Sequence, residues 1–252
     1  FCTRALAKSI SSCSGTTVDH TVSAPNLGQQ LTEDGKSWRG YFQSLPPMPA
    51  ANHLITSGRA ANGPYYVEYP NQSNALYASK HNPFLNFTST QGATKNMVPE
   101  TQLAVDLRRS TVADFSLIVP DQCHDMHGTG SCTNSSSLIS AGDRFVGATV
   151  KNIMSSRIWP VGNNAIVITW DEDDNANPTQ LGTGCCTSNP GGGHVVTIVI
   201  TNRGKTRVTD KTNYNQYALL SSFESVFGLP RLAHANDPAV PTMNKLFSLS
   251  SN

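Results

Sequence analysis

Three segments of the chain are apolar at nearly every position and rich in valine and isoleucine. They are FSLIVP from Phe115, AIVITW from Ala165 and VVTIVIT from Val195. Unbroken apolar runs of this length are typical of strands that helices cover on both faces, whereas a strand with one solvated face alternates between apolar and polar residues. The pattern therefore predicts three buried strands.

Segments with helical spacing lie around these runs: APNLGQQLTEDGKSW, PETQLAVDLRRS, SAGDRFVGATVKNIMSSRIW and NYNQYALLSSFESVFGLP. The first contains a helix that should end near Gly35, and the last stops at Gly228 and Pro230, a common helix end. Strands that alternate with helices indicate an α/β fold with a mostly parallel central sheet. No repeat or linker interrupts the pattern, so we expect one domain over residues 1–252.

Composition excludes two classes of function. Charged residues make up 14% of the chain and the net charge is +1, so no basic stripe for nucleic acid is expected. The longest apolar runs are the length of a strand, far below the ~20 residues that cross a bilayer. We therefore expect neither a nucleic-acid partner nor a transmembrane segment.

Cysteine usage favours an extracytoplasmic protein. The six cysteines lie in three pairs that are close in sequence, and their spacings match no zinc knuckle or ribbon. Three N-x-S/T sequons would make the chain a glycoprotein if it passes through a eukaryotic secretory pathway. The two adjacent cysteines, Cys185 and Cys186, either form a strained disulfide ring with each other or pair with other cysteines. The pairs are Cys2 with Cys13, Cys123 with Cys132, and Cys185 with Cys186, and the sequons begin at Asn71, Asn86 and Asn134.

The segment PDQCHDMHG, residues 120–128, follows the first apolar run directly. It offers Asp121, His124, Asp125 and His127 within seven residues. An imidazole can ligate a metal or donate to a phosphoryl oxygen, and a neighbouring carboxylate fixes its tautomer. A solvated loop whose side chains cap turns would have the same composition, so both interpretations stay open on spacing alone.

The second apolar run ends in WDEDD, which places four carboxylates in a row in a chain with 17 acidic residues. Asp171 and Glu172 follow Trp170, and a turn there would bring both to one cation. Carboxylate oxygens suit Mg²⁺, Ca²⁺ or Mn²⁺, and Zn²⁺ or Fe if a histidine joins them. The alternative is a helix N-terminus, which favours negative charge, but the turn-rich segment that follows does not predict a helix.

Long polar stretches, 46–98 and 173–193, separate these elements. Loops of this length in compact domains usually carry function. SNPGGGH, ending at His194, either lets the backbone approach another group closely or forms a surface turn. His81 beside Lys80 is a weak indication of an anion site.

Seven segments follow one another along residues 25–247: APNLGQQLTEDGKSWRGYFQSLP, YASKHNPF, FSLIVPDQCHDMHG, IVITWDEDD, GCCTSNPGGGHVVTIVITNRG, NYNQYALLSSFESVFGLPRLAHAND and VPTMNKLF. In this order they resemble the phosphoesterase family of the alkaline-phosphatase superfamily, which includes secreted acid phosphatases and, more distantly, phospholipases C.

The resemblance implies a three-layer α/β/α sandwich that hydrolyses phosphate esters by metal-assisted, in-line phosphoryl transfer. It implies a divalent metal ion as cofactor and a Ser or Thr nucleophile. By motif, Asp171 and Glu172 are similar to the family's metal ligands. Asp125 and His127 match its site residues, and His81 matches a phosphate contact.

The chain also departs from the family. His124, which we include among the expected catalytic residues, stands where the family often has Asn, and Gln216 stands where it typically has His. Neither the early Glu-Asn strand end nor a segment like HPSxPNY, where the nucleophile is expected, occurs here. We therefore expect an N-terminally incomplete phosphoesterase domain. The alternative is a fold that has lost catalysis and serves as a binding or assembly module.

Overall fold

The computed structural model describes residues 22–45, 76–77, 81–130, 132–173, 193–204 and 207–247. The chain divides into two compact units, Phe1–Ser156 and Arg157–Asn252. Within the described ranges, the strands are β1 (Trp38–Phe42), β2 (Met97–Pro99), β3 (Phe115–Val119), β4 (Ala165–Thr169) and β5 (Thr197–Thr201). The α-helices are α1 (Leu27–Glu33), α2 (Pro83–Asn86), α3 (Gln102–Arg109), α4 (Ser135–Met154) and α5 (Gln216–Phe227), and two 3₁₀ turns cover Thr94–Asn96 and Ala233–Asn236.

The first unit contains a parallel three-stranded sheet in the order β2-β1-β3. Gly40 of β1 lies opposite Met97 on one side and Leu117 on the other. Parallel neighbours place their carboxyl ends at the same edge of a sheet, so the residues after β1 and β3 become neighbours. The α/β class and the parallel sheet predicted from the sequence are confirmed.

Strand β1 was missed by the sequence pattern because WRGYF contains Arg39 and Gly40. Packing explains the glycine: a Cβ at Gly40 would overlap the ring of Phe42. Arg39 and Tyr41 point to one face, where Arg39 Nη1 lies 2.5 Å from Asp106 Oδ2 and the Tyr41 hydroxyl donates to the same oxygen over 2.8 Å. This buried network ties α3 to β1.

Burial alone would raise the pKa of Asp106, but hydrogen bonds from Gln102, Tyr41 and Arg39 hold it below its usual value. The Asp106 carboxylate is therefore ionised and hydrogen-bonded between α3 and β1. The apolar core of this unit surrounds the same strand. Its buried members are Leu31, Trp38, Phe42, Phe84, Leu85, Met97, Leu103, Leu107 and Leu138.

The second unit contains a two-stranded sheet in which β4 and β5 pair antiparallel. Ile166 lies opposite Ile200, and the hydroxyls of Thr169 and Thr197 are 3.0 Å apart. The expectation of a mostly parallel sheet does not extend to this pair. An apolar run has no direction, so its sequence pattern cannot distinguish the two pairings.

The four helices predicted from spacing are all present. Helix α1 ends at Glu33, just before Gly35, whose φ is +71°. Helix α5 begins after Asn215, whose side chain accepts from the Ala218 amide over 2.9 Å, and ends at Gly228 with φ +70°. Left-handed glycines of this kind terminate helices at little cost.

Several sequence predictions fall on residues that the structure does not describe. Among the three cysteine pairs, the pair Cys123–Cys132 lies inside the described ranges and forms the predicted disulfide. Asn134, the sequon residue before α4, accepts from the Ser137 amide as the helix cap. Of the helices in the described ranges, none combines the length and apolar character needed to cross a bilayer. Outside those ranges lie Cys2, Cys13, Cys185, Cys186, Asn71, Lys80 and Asp174.

Candidate active site

The loop after β3 folds around Asp121, the second residue beyond the strand. Its side chain is 4% exposed. The amides of His124 and Asp125 both donate to the Asp121 carbonyl over 2.8 Å, and the Cys123 amide donates to Oδ1 over 3.1 Å. Asp121 therefore shapes the turn that carries the predicted site residues.

The Asp121 carboxylate also holds a histidine. His124 Nδ1 lies 2.8 Å from Oδ1, while the Ser44 hydroxyl donates to Oδ2 over 2.6 Å. The Asp121 amide donates to Gln43 Oε1 over 3.0 Å. Ser44 and Gln43 directly follow β1, so the neighbouring strand end supports the loop. An ionised carboxylate only accepts, and the bond therefore requires the proton on Nδ1 of His124.

A disulfide closes the same loop. Cys123 and Cys132 are bonded, with their Cα atoms 5.7 Å apart. Inside it, Thr129 and Cys132 exchange two backbone hydrogen bonds of 3.1 and 2.8 Å. Both ends of the segment are thus fixed to each other independently of Asp121.

Asp125 contacts two histidines. Its Oδ1 accepts from the His127 amide over 2.8 Å, and its Oδ2 lies 3.7 Å from Nδ1 of His81, an ion pair when that ring is protonated. Oδ2 is buried and accepts no hydrogen bond from any described residue. Burial raises the pKa of Asp125, and the His127 amide and the charge of His81 partly oppose that rise.

His127 is oriented by its own backbone neighbour. Its Nδ1 lies 2.9 Å from the carbonyl oxygen of Gly128, which only accepts, so this Nδ1 also carries the proton. His81, His124 and His127 therefore share one arrangement: an oxygen atom lies on the Nδ1 side of each ring. In His124 and His127, Nε2 is the nitrogen left for another group.

Helix α4 supports the loop through a glycine. A Cβ at Gly142 would lie 2.7 Å from Met126 Cε and 3.0 Å from the carbonyl oxygen of His124. The absence of a side chain lets the loop lie directly on the helix. Met126 itself has φ +76°, an unfavourable angle for a residue other than glycine, and the surrounding contacts maintain it.

The end of β4, in the second unit, is built differently. Asp171 and Glu172 are exposed, and neither carboxylate has a hydrogen-bond or ion-pair partner within the described residues. The backbone is held instead: Gln216 Nε2 donates to the carbonyl of Trp170 over 2.8 Å and lies 3.4 Å from that of Asp171. Gln216, at the start of α5, thus supports the turn that presents the two carboxylates.

Asp173 behaves differently from the two residues before it. It is half-buried, and its carboxylate occupies the space that a Cβ on Gly193 would need. Gly193 has φ +80°. The close-approach interpretation of the glycine run is therefore favoured at this position, whereas His194 beside it is exposed.

The donor set at the end of β4 fits a hard divalent cation, because two adjacent carboxylates are exposed and contact no hydrogen-bond or ion-pair partner among the residues that the structure describes. In the described ranges no group of three or more His, Cys, Asp and Glu side chains is arranged to hold a metal ion. Asp171 and Glu172 thus supply two oxygen-bearing side chains, and they stay predicted ligands.

The structure brings together four of the predicted site residues on or beside one loop: His81, His124, Asp125 and His127. The sequence did not assign roles to Asp121, Ser44 or Gly142, which support them. Asp121 carried a signal, since it follows an apolar run that ends at Pro120. Ser44 and Gly142 carried none, because their contacts join distant parts of the chain.

Comparison with known proteins gives the same family as the motifs. The sequence profile of the phosphoesterase family matches residues 5–230. A phosphatidylinositol-3-phosphatase from Mycobacterium tuberculosis is 26% identical over 214 residues, which are 84% of this chain and 56% of the relative. The chain thus spans a little over half the length of that curated protein. On the extent of the profile match, the chain belongs to the phosphoesterase family.

Proposed function

We propose that the chain hydrolyses phosphate esters by metal-assisted, in-line phosphoryl transfer. The observation that carries this proposal is the β3-end loop, where two oriented histidines each keep Nε2 for another group in a chain of the phosphoesterase family. Imidazole nitrogens held by carboxylate or carbonyl acceptors are suited to contact phosphoryl oxygens and to move protons.

Each of the following residues has a part in this proposal, and the attacking oxygen belongs to the Ser or Thr nucleophile that the family resemblance implies, which the motifs of this chain do not identify. His81, His124 and His127 bind the phosphoryl group, and Asp125 orients His81 while holding the His127 backbone. Asp171 and Glu172 would hold a divalent cation, which neutralises phosphoryl charge and lowers the pKa of the attacking group when bound. Gln216 fixes the backbone that carries those carboxylates.

The substrate class we propose is a phosphate monoester. The relative from Mycobacterium tuberculosis is named as a phosphatase of phosphatidylinositol 3-phosphate, which is a monoester on an inositol lipid. We also propose a secreted, acid-phosphatase-like role. The Cys123–Cys132 disulfide supports the secreted location, since such bonds persist in oxidising compartments, and the acid-phosphatase part rests on the resemblance of the motifs.

The test is hydrolysis of p-nitrophenyl phosphate from acidic to neutral pH, with added divalent cation or with chelator. We expect cation-dependent turnover in the wild type and a loss of about 10³-fold in Asp171→Ala, equivalent to about 4 kcal/mol of transition-state stabilisation. Asp143→Ala, an exposed aspartate of α4, is the matched control and should keep full activity.

Two results would count against the proposal. Equal activity of the wild type and Asp171→Ala, with and without chelator, would remove the metal assignment. No turnover of any phosphate ester with any cation would favour the alternative of a non-catalytic binding module. Comparison with bis-p-nitrophenyl phosphate separates monoester from diester preference.

A further inference from the structure

His124 differs from His81 and His127 in its acceptor, which is a buried carboxylate within hydrogen-bond distance, 2.8 Å from Nδ1. The Asp121 side chain is 4% exposed, whereas the His124 side chain is 36% exposed. The pair therefore has a buried anchor and an accessible ring. Among the described residues, no hydrogen bond involves Nε2 of this ring.

Asp121 is itself fixed on several sides. Ser44 donates to its second oxygen, the Cys123 amide donates to its first, and its own amide is bound by Gln43. Such a carboxylate has little freedom to rotate. It therefore accepts the hydrogen bond from Nδ1 of His124 in one fixed geometry. The position of the imidazole is thus determined from the ends of both β1 and β3.

We propose that Asp121 is a positioning residue that holds His124 in its Nδ1-protonated form, so that Nε2 is the atom that meets a phosphoryl oxygen. When the ring is protonated, Nε2 donates to that oxygen; when the ring is neutral, Nε2 is a proton acceptor. The role of Nε2 deepens the proposed phosphoesterase function and rests on it, whereas the tautomer depends only on the Asp121–His124 contact.

A turn-capping role is the competing explanation, because Asp121 also binds two loop amides through its carbonyl and one through Oδ1. The two explanations differ in what an amide replacement does. In Asp121→Asn, the side-chain oxygen can still accept from the Cys123 amide. This oxygen is uncharged and therefore a poorer acceptor for Nδ1, and rotation of the amide group can place its NH₂ donor there instead. The tautomer of His124 therefore separates positioning from capping.

The experiment is long-range ¹H–¹⁵N NMR of the histidine rings in the full chain, with His124 assigned from the resonances missing in His124→Gln. The neutral wild-type ring should carry its proton on Nδ1, which is the less common tautomer of a free histidine side chain. In Asp121→Asn the population should shift toward the Nε2-protonated form. A wild-type ring protonated on Nε2 would overturn the proposal without any variant.

Inorganic phosphate is then titrated into the same samples. We expect the Nε2 resonance of wild-type His124 to move on binding, and the affinity to fall about tenfold in Asp121→Asn. Asp114→Asn is the matched control: this aspartate precedes β3 and accepts from Ser37 at the other end of the strand. It should alter neither the tautomer nor the affinity.

Ser44→Ala removes a hydrogen bond from the same carboxylate and leaves its contact with Nδ1 in place. Equal loss of phosphate affinity in Ser44→Ala and Asp121→Asn, with the tautomer unchanged in both, would show a capping role and overturn the proposal. A His124 resonance that ignores phosphate would also overturn it. A phosphate response in a chain that hydrolyses no ester would support the inference while rejecting the proposed activity.

Discussion

The ends of β3 and β4 both place acidic side chains directly after an apolar run, but the two surroundings differ. After β3, Asp121 is buried and hydrogen-bonded to Ser44 and His124. After β4, Asp171 and Glu172 are exposed, and the contacts that the described residues make there are to the backbone, through Gln216. The carboxylate of Asp121 is used within the protein, whereas those of Asp171 and Glu172 are the ones we propose for a cation.

This difference matters because a carboxylate cannot serve both purposes equally. A buried Asp that accepts several hydrogen bonds orients its partners and has few lone pairs left for a cation. Two adjacent exposed carboxylates repel each other, and a bound cation would offset that repulsion. Burial and partners, rather than residue type, thus separate a positioning group from a candidate ligand.

The largest effect should follow from opening the β3-end loop. Replacing Cys123 and Cys132 by serine removes a link between residues nine positions apart. On the entropy of the closed loop, we expect a loss of about 2.5 kcal/mol in the free energy of unfolding, measured by urea denaturation. Asp171→Asn should change it by less than about 0.5 kcal/mol, because that side chain is exposed.

Equal stability of the disulfide variant and the wild type would show that the β3 end does not depend on its internal bonds. A destabilised Asp171→Asn variant would show that the exposed carboxylate contributes to the stability of the fold.

The β3 end was partly predictable because its signal is local. An apolar run followed by Asp and His residues identifies a strand and candidate chemistry within one window. The partners were not predictable, since Ser44 and Asp121 are 77 residues apart. Strand β1 was hidden by Gly40, whose purpose appears only when the Phe42 ring packs over it. The antiparallel pairing of β4 and β5 was not predictable either, because an apolar run is compatible with both parallel and antiparallel neighbours.

A smaller effect is expected at Asp125, where the pH dependence has a definite sign. Burial raises the pKa of this carboxyl above its usual value, so it gains a proton at a higher pH than an exposed aspartate. Its negative charge toward His81 is then lost, and we expect activity to fall on that acidic limb. Asp125→Asn should lower neutral-pH activity about tenfold and remove the limb from the pH–rate profile.

Stability should respond in the opposite direction. A raised pKa means that the protonated form of Asp125 favours the fold below its unfolded-state pKa, and that this contribution is lost as pH rises through the folded-state pKa. The stability of the wild type relative to Asp125→Asn should therefore decrease with rising pH. If the acidic limb of the pH–rate profile is unchanged in Asp125→Asn, that result would contradict its assignment to Asp125.

The smallest effect concerns Gln216. Gln216→Ala removes the side-chain bonds to the carbonyls of Trp170 and Asp171, and we expect divalent-cation affinity to fall about threefold, the worth of a modest hydrogen bond. Gln29→Ala, which removes an exposed side-chain bond on α1, is the matched control. Equal cation affinity in both variants would show that the β4 end needs no backbone support.

The most direct test of the division between the two strand ends is Mn²⁺ binding to the full chain, measured through the electron paramagnetic resonance signal of the free ion. We predict that the wild type binds the cation, that Asp171→Asn combined with Glu172→Gln abolishes binding, and that Asp121→Asn retains it. Undiminished binding by the Asp171 and Glu172 double variant would contradict the division between the two strand ends.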